Sequence, residues 1–108
     1  MIKIATLSVE SLSNQLTNQQ PLYLVDVRQK WEYDICHLAN SIHIPLNELA
    51  DRLSELPRTK AIVMICHHGI RSQQAAALLL KSGFNNVASL EGGINAWAQR
   101  IDPTMAVY

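Results

Sequence analysis

The amino-acid sequence predicts an α/β fold in a single domain, 1–108, with a central, mostly parallel five-stranded sheet and helices on both faces. Three features predict it. Short apolar, β-branched runs alternate along the chain with segments whose apolar residues recur at helical spacing. The connections are short, so each strand returns parallel to its predecessor through a helical crossover. At 108 residues and 48% hydrophobic side chains, the chain is one ordinary domain that buries roughly 60–70% of its unfolded surface without disulfide staples.

The elements follow in order. Ile2 to Leu7 reads as a short strand with Ile2, Ile4 and Leu7 inward. Ser8 caps the next helix, where Val9, Leu12 and Leu16 stand at helical spacing until Asn18-Gln19-Gln20-Pro21 breaks it. Leu22 to Val25 is a continuous apolar strand, buried on both faces, that runs into Asp26-Val27-Arg28. Gln29 to Asp34 makes one or two helical turns with Trp31 and Tyr33 as packing anchors. Ile42-His43-Ile44 is a very short strand ended by Pro45. Leu46, Leu49, Leu53 and Leu56 form a helical stripe of core leucines that stops near Pro57.

Ala61 to Ile65 is a buried strand, and Ser72 to Lys81 an Ala/Leu-rich helix, apolar on most sides and capped by Gly83. Val87 to Leu90 is the last strand, and Glu91-Gly92-Gly93 turns into a helix carrying Ile94, Trp97 and Ile101. The stretch from Asp102 to Tyr108 is irregular.

Nine basic residues balance nine acidic ones, so no attraction to nucleic acid or to an anionic membrane is expected. No apolar run approaches the roughly 18 residues of a membrane span, and MIKIATLSVE lacks the apolar core of a signal peptide. Two cysteines in such a chain suggest reduced thiols in a cytoplasm. No metal and no cofactor are expected.

The chemistry concentrates between the Ala61–Ile65 strand and the following helix, in Cys66-His67-His68-Gly69-Ile70-Arg71-Ser72. Ligands of parallel α/β sheets bind outside the carboxyl ends of the strands. A helix N-terminus presents unpaired N–H groups and about half a positive charge, and a thiol beside one ionises more readily. Gly69 lets the turn reach positive φ, so that successive N–H groups curl around one point, while Arg71 and the two histidines add donors or charge. The alternative, Cys66 as a small buried hydrophobe, leaves so many neighbouring donors without a purpose. Asp26 and Arg28 end a second strand at the same edge. They either shape the rim of the Cys66 pocket or act locally, Asp26 as a cap and Arg28 as the partner of an acid such as Glu32.

These residues resemble the single-domain rhodanese family of sulfurtransferases over nearly the whole chain. Asp26-Val27-Arg28 with Glu32-Tyr33 matches the family's D-V-R-x-x-x-E-[YF] run. His37-Leu38 and Ile42-His43-Ile44-Pro45 match its G-H-I-x-G-A-x-[NH]-I-P. Cys66 to Ser72 matches its C-x-x-G-x-R-S loop, and Gly83-Phe84, Val87 and Leu90-Glu91-Gly92-Gly93 through Ala96-Trp97 match its ending. The resemblance implies a rhodanese-like domain and a ping-pong reaction of the thiosulfate:cyanide type. Cys66 attacks the outer sulfur of thiosulfate or a protein persulfide, and an acceptor thiol, such as that of a thioredoxin-like protein, or cyanide then takes the sulfur. The loop holds one arginine and no lysine, so attraction for the thiosulfate dianion is modest and a persulfide donor is the alternative.

Two positions depart from the family pattern, Cys36 and Asn40 standing where it has glycine. Asparagine tolerates left-handed φ and cysteine less so. Cys36 also brings a second sulfur to the pocket rim, either as an unpaired thiol or as a resolving partner for Cys66. Cysteine phosphatases and arsenate reductases are the enzyme alternative, but their C-x5-R loops need five residues before the arginine. Arg71 follows Cys66 after four, and Ser72 stands where the clamp would be. A rhodanese-like module used for regulation or sulfur-carrier binding is the non-enzyme alternative, and inactive members usually lack the cysteine.

Overall fold

The structure, a computed structural model, describes residues 3–108. Its strands are β1 (Ala5–Leu7), β2 (Leu22–Asp26), β3 (Ile42–His43), β4 (Ala61–Ile65) and β5 (Val87–Leu90). They form one sheet in the order β1-β5-β4-β2-β3, and every pairing is parallel. The helices are α1 (Val9–Thr17), α2 (Lys30–Ile35), α3 (Leu46–Leu49), α4 (Ile70–Lys81) and α5 (Gly93–Arg100), with a 3₁₀ segment over Ala50–Glu55. Parallel pairing sends all carboxyl ends to one edge. There Asp26 pairs with Ile65 on one side and with His43 on the other, so the loops after β2, β3 and β4 leave the sheet side by side.

The alternation of β2 and β4 divides the core. Val25, Ile62 and Met64 pack on one face with Leu49, Leu56 and, from α4, Ala75, Ala76 and Leu79. Leu24, Val63 and Ile65 pack on the other with Val9 and Leu12 of α1 and Ile94 and Trp97 of α5. Each fully buried aliphatic side chain contributes about 1.5–3 kcal/mol, so both layers are needed to hold the edge that carries the loops. The expected α/β architecture, with helices on both faces, is the observed one.

Local signals act as their chemistry requires. Ser8 caps α1 by accepting the Ser11 N–H at 3.1 Å. Gly83 (φ +95) closes α4, with its own N–H on Leu80 and that of Phe84 on Leu79. Other expectations change. The expected inward position of Ile2 lies outside the described residues, and β1 begins only at Ala5. The leucine stripe is core at Leu49 and Leu56, but its helix becomes 3₁₀ and breaks at Arg52 (φ −119, ψ 16), whose guanidinium pairs with Glu48 and Glu55. Trp31 is no packing anchor: it is 58% exposed, and its indole N–H donates to the Gln29 side chain. α4 starts at Ile70 rather than Ser72, because Gly69 takes the left-handed conformation that opens it.

Candidate active site

Cys66 follows the last residue of β4 and is 1% exposed. Its Sγ accepts the Gly69 N–H at 3.0 Å and lies 3.4 Å from Ser72 Oγ, to which the thiol donates. Ser72 Oγ is in turn 2.6 Å from Ser89 Oγ on β5. The sulfur thus sits just before the N-terminus of α4, whose aligned peptide dipoles favour a negative charge there. Gly69 makes this possible. Its φ of +100 aims its N–H at the sulfur, and a Cβ there would press within 3.2 Å of the Gly92 nitrogen.

The loop is also held from below by α5. The Ile94 N–H donates to the Cys66 carbonyl at 2.9 Å and the Asn95 N–H to the His67 carbonyl at 3.0 Å. This close docking requires glycine at 93, where φ is +58 and a Cβ would overlap the Cys66 carbonyl oxygen and come within 2.6 Å of that of His67. Gly93→Ala is therefore expected to destabilise the fold by about 2–3 kcal/mol, read from the urea unfolding midpoint, and to displace the loop.

The remaining predicted site residues separate into those at the surface of the loop and those beneath it. His68 and Ile70 are exposed. The His67 ring stacks on Tyr108 (centroids 3.9 Å apart, 12° between planes) and packs against His68. Burial, and then the nearby His68, lower the His67 pKa below its ordinary 6.5, so its ring is neutral at pH 7. Arg71 donates through both terminal nitrogens to Glu32, at 2.6 and 2.8 Å. Its guanidinium is thus committed to a carboxylate from α2.

Asp26 and Arg28 do not form an open rim. Both are fully buried and pair with each other: Arg28 Nη2 and Nε donate to the Asp26 carboxylate at 2.7 and 2.9 Å, and the Arg28 N–H donates to it at 3.1 Å. A charge so far from water needs its counter-charge within hydrogen-bond reach, and β2 places the two groups two residues apart at its end. Burial opposes the Arg28 charge, but the Asp26 hydrogen bonds and charge outweigh it and the guanidinium's pKa is raised. The acid expected for Arg28 was Glu32; instead Glu32 offers Arg28 only its main-chain oxygen, at 3.3 Å, and gives its carboxylate to Arg71.

Cys36 joins this network through its carbonyl, which accepts from Arg28 Nη2 at 2.6 Å. Its φ of −163 is extended, so cysteine replaces the family's glycine there without strain, while Asn40 does adopt left-handed φ (+64). The half-buried Cys36 packs against the Leu24–Ile65 face of the sheet and Cys66 lies in the opposite cluster. The packing gives the resolving role of Cys36 no support.

Three participants escaped the sequence reading: Glu32 as the partner of Arg71, Ser89 behind Ser72, and Tyr108. The Tyr108 hydroxyl accepts from Arg28 Nη1 at 2.8 Å and donates to Glu32 Oε2 at 2.9 Å. Burial and the Glu32 carboxylate push its pKa up to about 12 against the opposing pull of Arg28, so it remains a donor. A serine within an otherwise apolar buried strand was a signal for Ser89; nothing local signalled Tyr108.

Glu32 is the group in this network whose ionisation falls in reach of experiment. Arg71 chiefly, then the Gln29 N–H and the Tyr108 hydroxyl, hold its pKa at about 2 against the opposing effect of burial, well below the ordinary 4.5. A carboxylate with a depressed folded-state pKa stabilises the fold above its unfolded value, and that stability is lost as pH falls through the window between the two. The melting temperature of the protein is expected to drop between about pH 4.5 and about pH 2, and a Glu32→Gln variant to lose less over that window.

Known proteins are similar to this chain in sequence and in fold. The rhodanese-like domain family model matches residues 8–100. The chain is 36% identical over 97 residues to a sulfurtransferase of Allochromatium vinosum, covering 90% of this chain and 91% of that protein. It is 44% identical over 96 residues to the adenylyltransferase and sulfurtransferase uba4 of Ogataea parapolymorpha, covering 87% of this chain and 24% of that one. The chain thus spans about a quarter of that longer relative's length. The crystal structure of a rhodanese-related protein from Thermoplasma volcanium superposes with a TM-score of 0.82 at 32% identity, over 90% of this chain and 93% of that one. A strand-end cysteine cradled by a glycine N–H, on an all-parallel five-stranded sheet and within so long a family match, leaves one assignment: the chain belongs to the rhodanese-like domain family.

Proposed function

We propose that the chain is a sulfurtransferase of the thiosulfate:cyanide type in which Cys66 carries sulfane sulfur as a persulfide. The observation that supports this most is the Gly69 N–H on Cys66 Sγ at 3.0 Å, just before the N-terminus of α4. That geometry stabilises an anionic sulfur without a side-chain base, which is what both the thiolate and the persulfide anion need. The sulfurtransferase relatives agree with it.

In the first half-reaction the Cys66 thiolate attacks the outer sulfur of thiosulfate. A new S–S bond forms, the bond to the sulfonate sulfur breaks, and sulfite leaves with the electron pair. In the second, an acceptor thiolate or cyanide attacks the outer sulfur of the Cys66 persulfide and releases the thiolate. A protein persulfide donor and a thioredoxin-like acceptor fit the same chemistry. Cys36 and Cys66 are free thiols, as a reducing, cytoplasmic setting would keep them.

Incubation with thiosulfate is expected to add the mass of one sulfur atom at Cys66, and subsequent cyanide to remove it as thiocyanate. A protein that takes sulfur from no donor yet still binds a sulfur-carrier partner would instead be a regulatory module. Phosphatase and arsenate reductase activity fit poorly, because the loop's arginine comes after four residues and is held by Glu32.

A further inference from the structure

We propose that Glu32 is a specificity-determining residue: by holding the Arg71 guanidinium in a two-point ion pair, it leaves the Cys66 approach without an uncompensated cation and so favours singly charged sulfur donors over dianions. This rests on the sulfurtransferase reading of Cys66.

The charges around the sulfur are matched in pairs. Arg71 faces Glu32 through both terminal nitrogens, and the fully buried Arg28 faces Asp26. The His67 ring is neutral at pH 7, and His68 is exposed, where solvent screens it. Glu32 cannot easily yield Arg71 to an arriving anion. It is buried, and besides Arg71 it accepts from the Gln29 N–H at 3.1 Å and the Tyr108 hydroxyl at 2.9 Å, which fix its carboxylate. Drawing Arg71 away would leave a buried carboxylate short of its counter-charge, a cost that a dianion must overcome.

The open cleft beside Arg71, about 450 Å³, agrees. Its other walls are Val27, Gln29, Pro45, Leu46 and Asn47, all uncharged. Apart from Arg71, nothing on its walls offers a charge to a dianion.

Methanethiosulfonate and thiosulfate isolate the charge, since each presents a terminal sulfur on a sulfonyl centre and they differ by one negative charge. With the former, the Cys66 thiolate bonds to the terminal sulfur, the S–S bond to the sulfonyl group breaks, and methanesulfinate departs with the electron pair. One Cys66 persulfide anion forms, and total charge is conserved.

The intact protein should show a higher kcat/KM for methanethiosulfonate than for thiosulfate, and its thiosulfate rate should be nearly insensitive to added salt. Glu32→Gln should shift the ratio toward thiosulfate by about tenfold, chiefly through KM, with the gain falling as salt rises. Adding Arg71→Gln to that variant should abolish the gain. A folded Glu32→Gln with an unchanged ratio overturns the proposal. So does a steep salt dependence of thiosulfate loading in the unmodified protein, a measurement that stands even if the variant fails to fold. Loading from neither donor, seen by intact mass, defeats the sulfurtransferase reading and this proposal with it. Loading from both with a ratio indifferent to Glu32 defeats this proposal alone.

Discussion

Cys66→Ser is expected to abolish sulfur loading and turnover completely while the protein stays folded. The reaction needs a nucleophile that is anionic near neutral pH and whose bond to a second sulfur can form and break readily. A serine hydroxyl meets neither requirement. The fold survives because a hydroxyl can still accept the Gly69 N–H and donate to Ser72. What is lost is the packing of one buried sulfur among Val25, Val27 and Met64, which costs about 1–2 kcal/mol. Intact mass after thiosulfate treatment checks the first half of the expectation and thermal melting the second. Sulfur found on the serine variant would move the chemistry elsewhere, to Cys36 first.

The second large effect concerns stability. Asp26→Ala is expected to destabilise the fold by about 3–5 kcal/mol, because it strands a fully buried guanidinium. Four hydrogen bonds from Arg28 vanish outright, one from Nη2, two from Nε and one from the main-chain N–H. The partners that remain, Tyr108, the Glu32 carbonyl and the Cys36 carbonyl, are uncharged groups that cannot balance a cation in the core. Asp26→Asn, which keeps an acceptor but loses the charge, should fall between the two. Urea unfolding at neutral pH measures both. A loss below about 1 kcal/mol for the alanine variant would mean that water reaches Arg28 and that the pair is no buried ion pair.

Both effects arise at one edge of the sheet, and that edge explains what could be read in advance. The fold was legible because each element is signalled within its own residues. The continuous apolar run that ends in Leu24 and Val25, the cap at Ser8 and the stop at Gly83 depend on neighbours a few positions away. The Cys66 loop was legible for the same reason, since strand, cysteine, glycine and helix are contiguous.

The partners of the charged residues were not legible. Arg28 could have lined the pocket rim or met an acid such as Glu32, and Arg71 could have faced the substrate. The choice depended on how α2 lies against the loop after β4, and on Tyr108 inserting its hydroxyl between Arg28 and Glu32. Trp31 was misjudged likewise: a large aromatic side chain suits a buried anchor, but α2 buries Glu32 and turns Trp31 to solvent.

By itself, then, the sequence determined a parallel α/β sheet and a cysteine at the mouth of a helix, because hydrophobic periodicity and turn chemistry act over a few residues. Only the tertiary structure decided how the charges around that cysteine are matched. Asp26 and Arg28 lie only two positions apart, but the Arg71–Glu32 ion pair and the Arg28–Tyr108 hydrogen bond join residues 39 and 80 positions apart, and geometry at that separation is set by the packing of the whole domain.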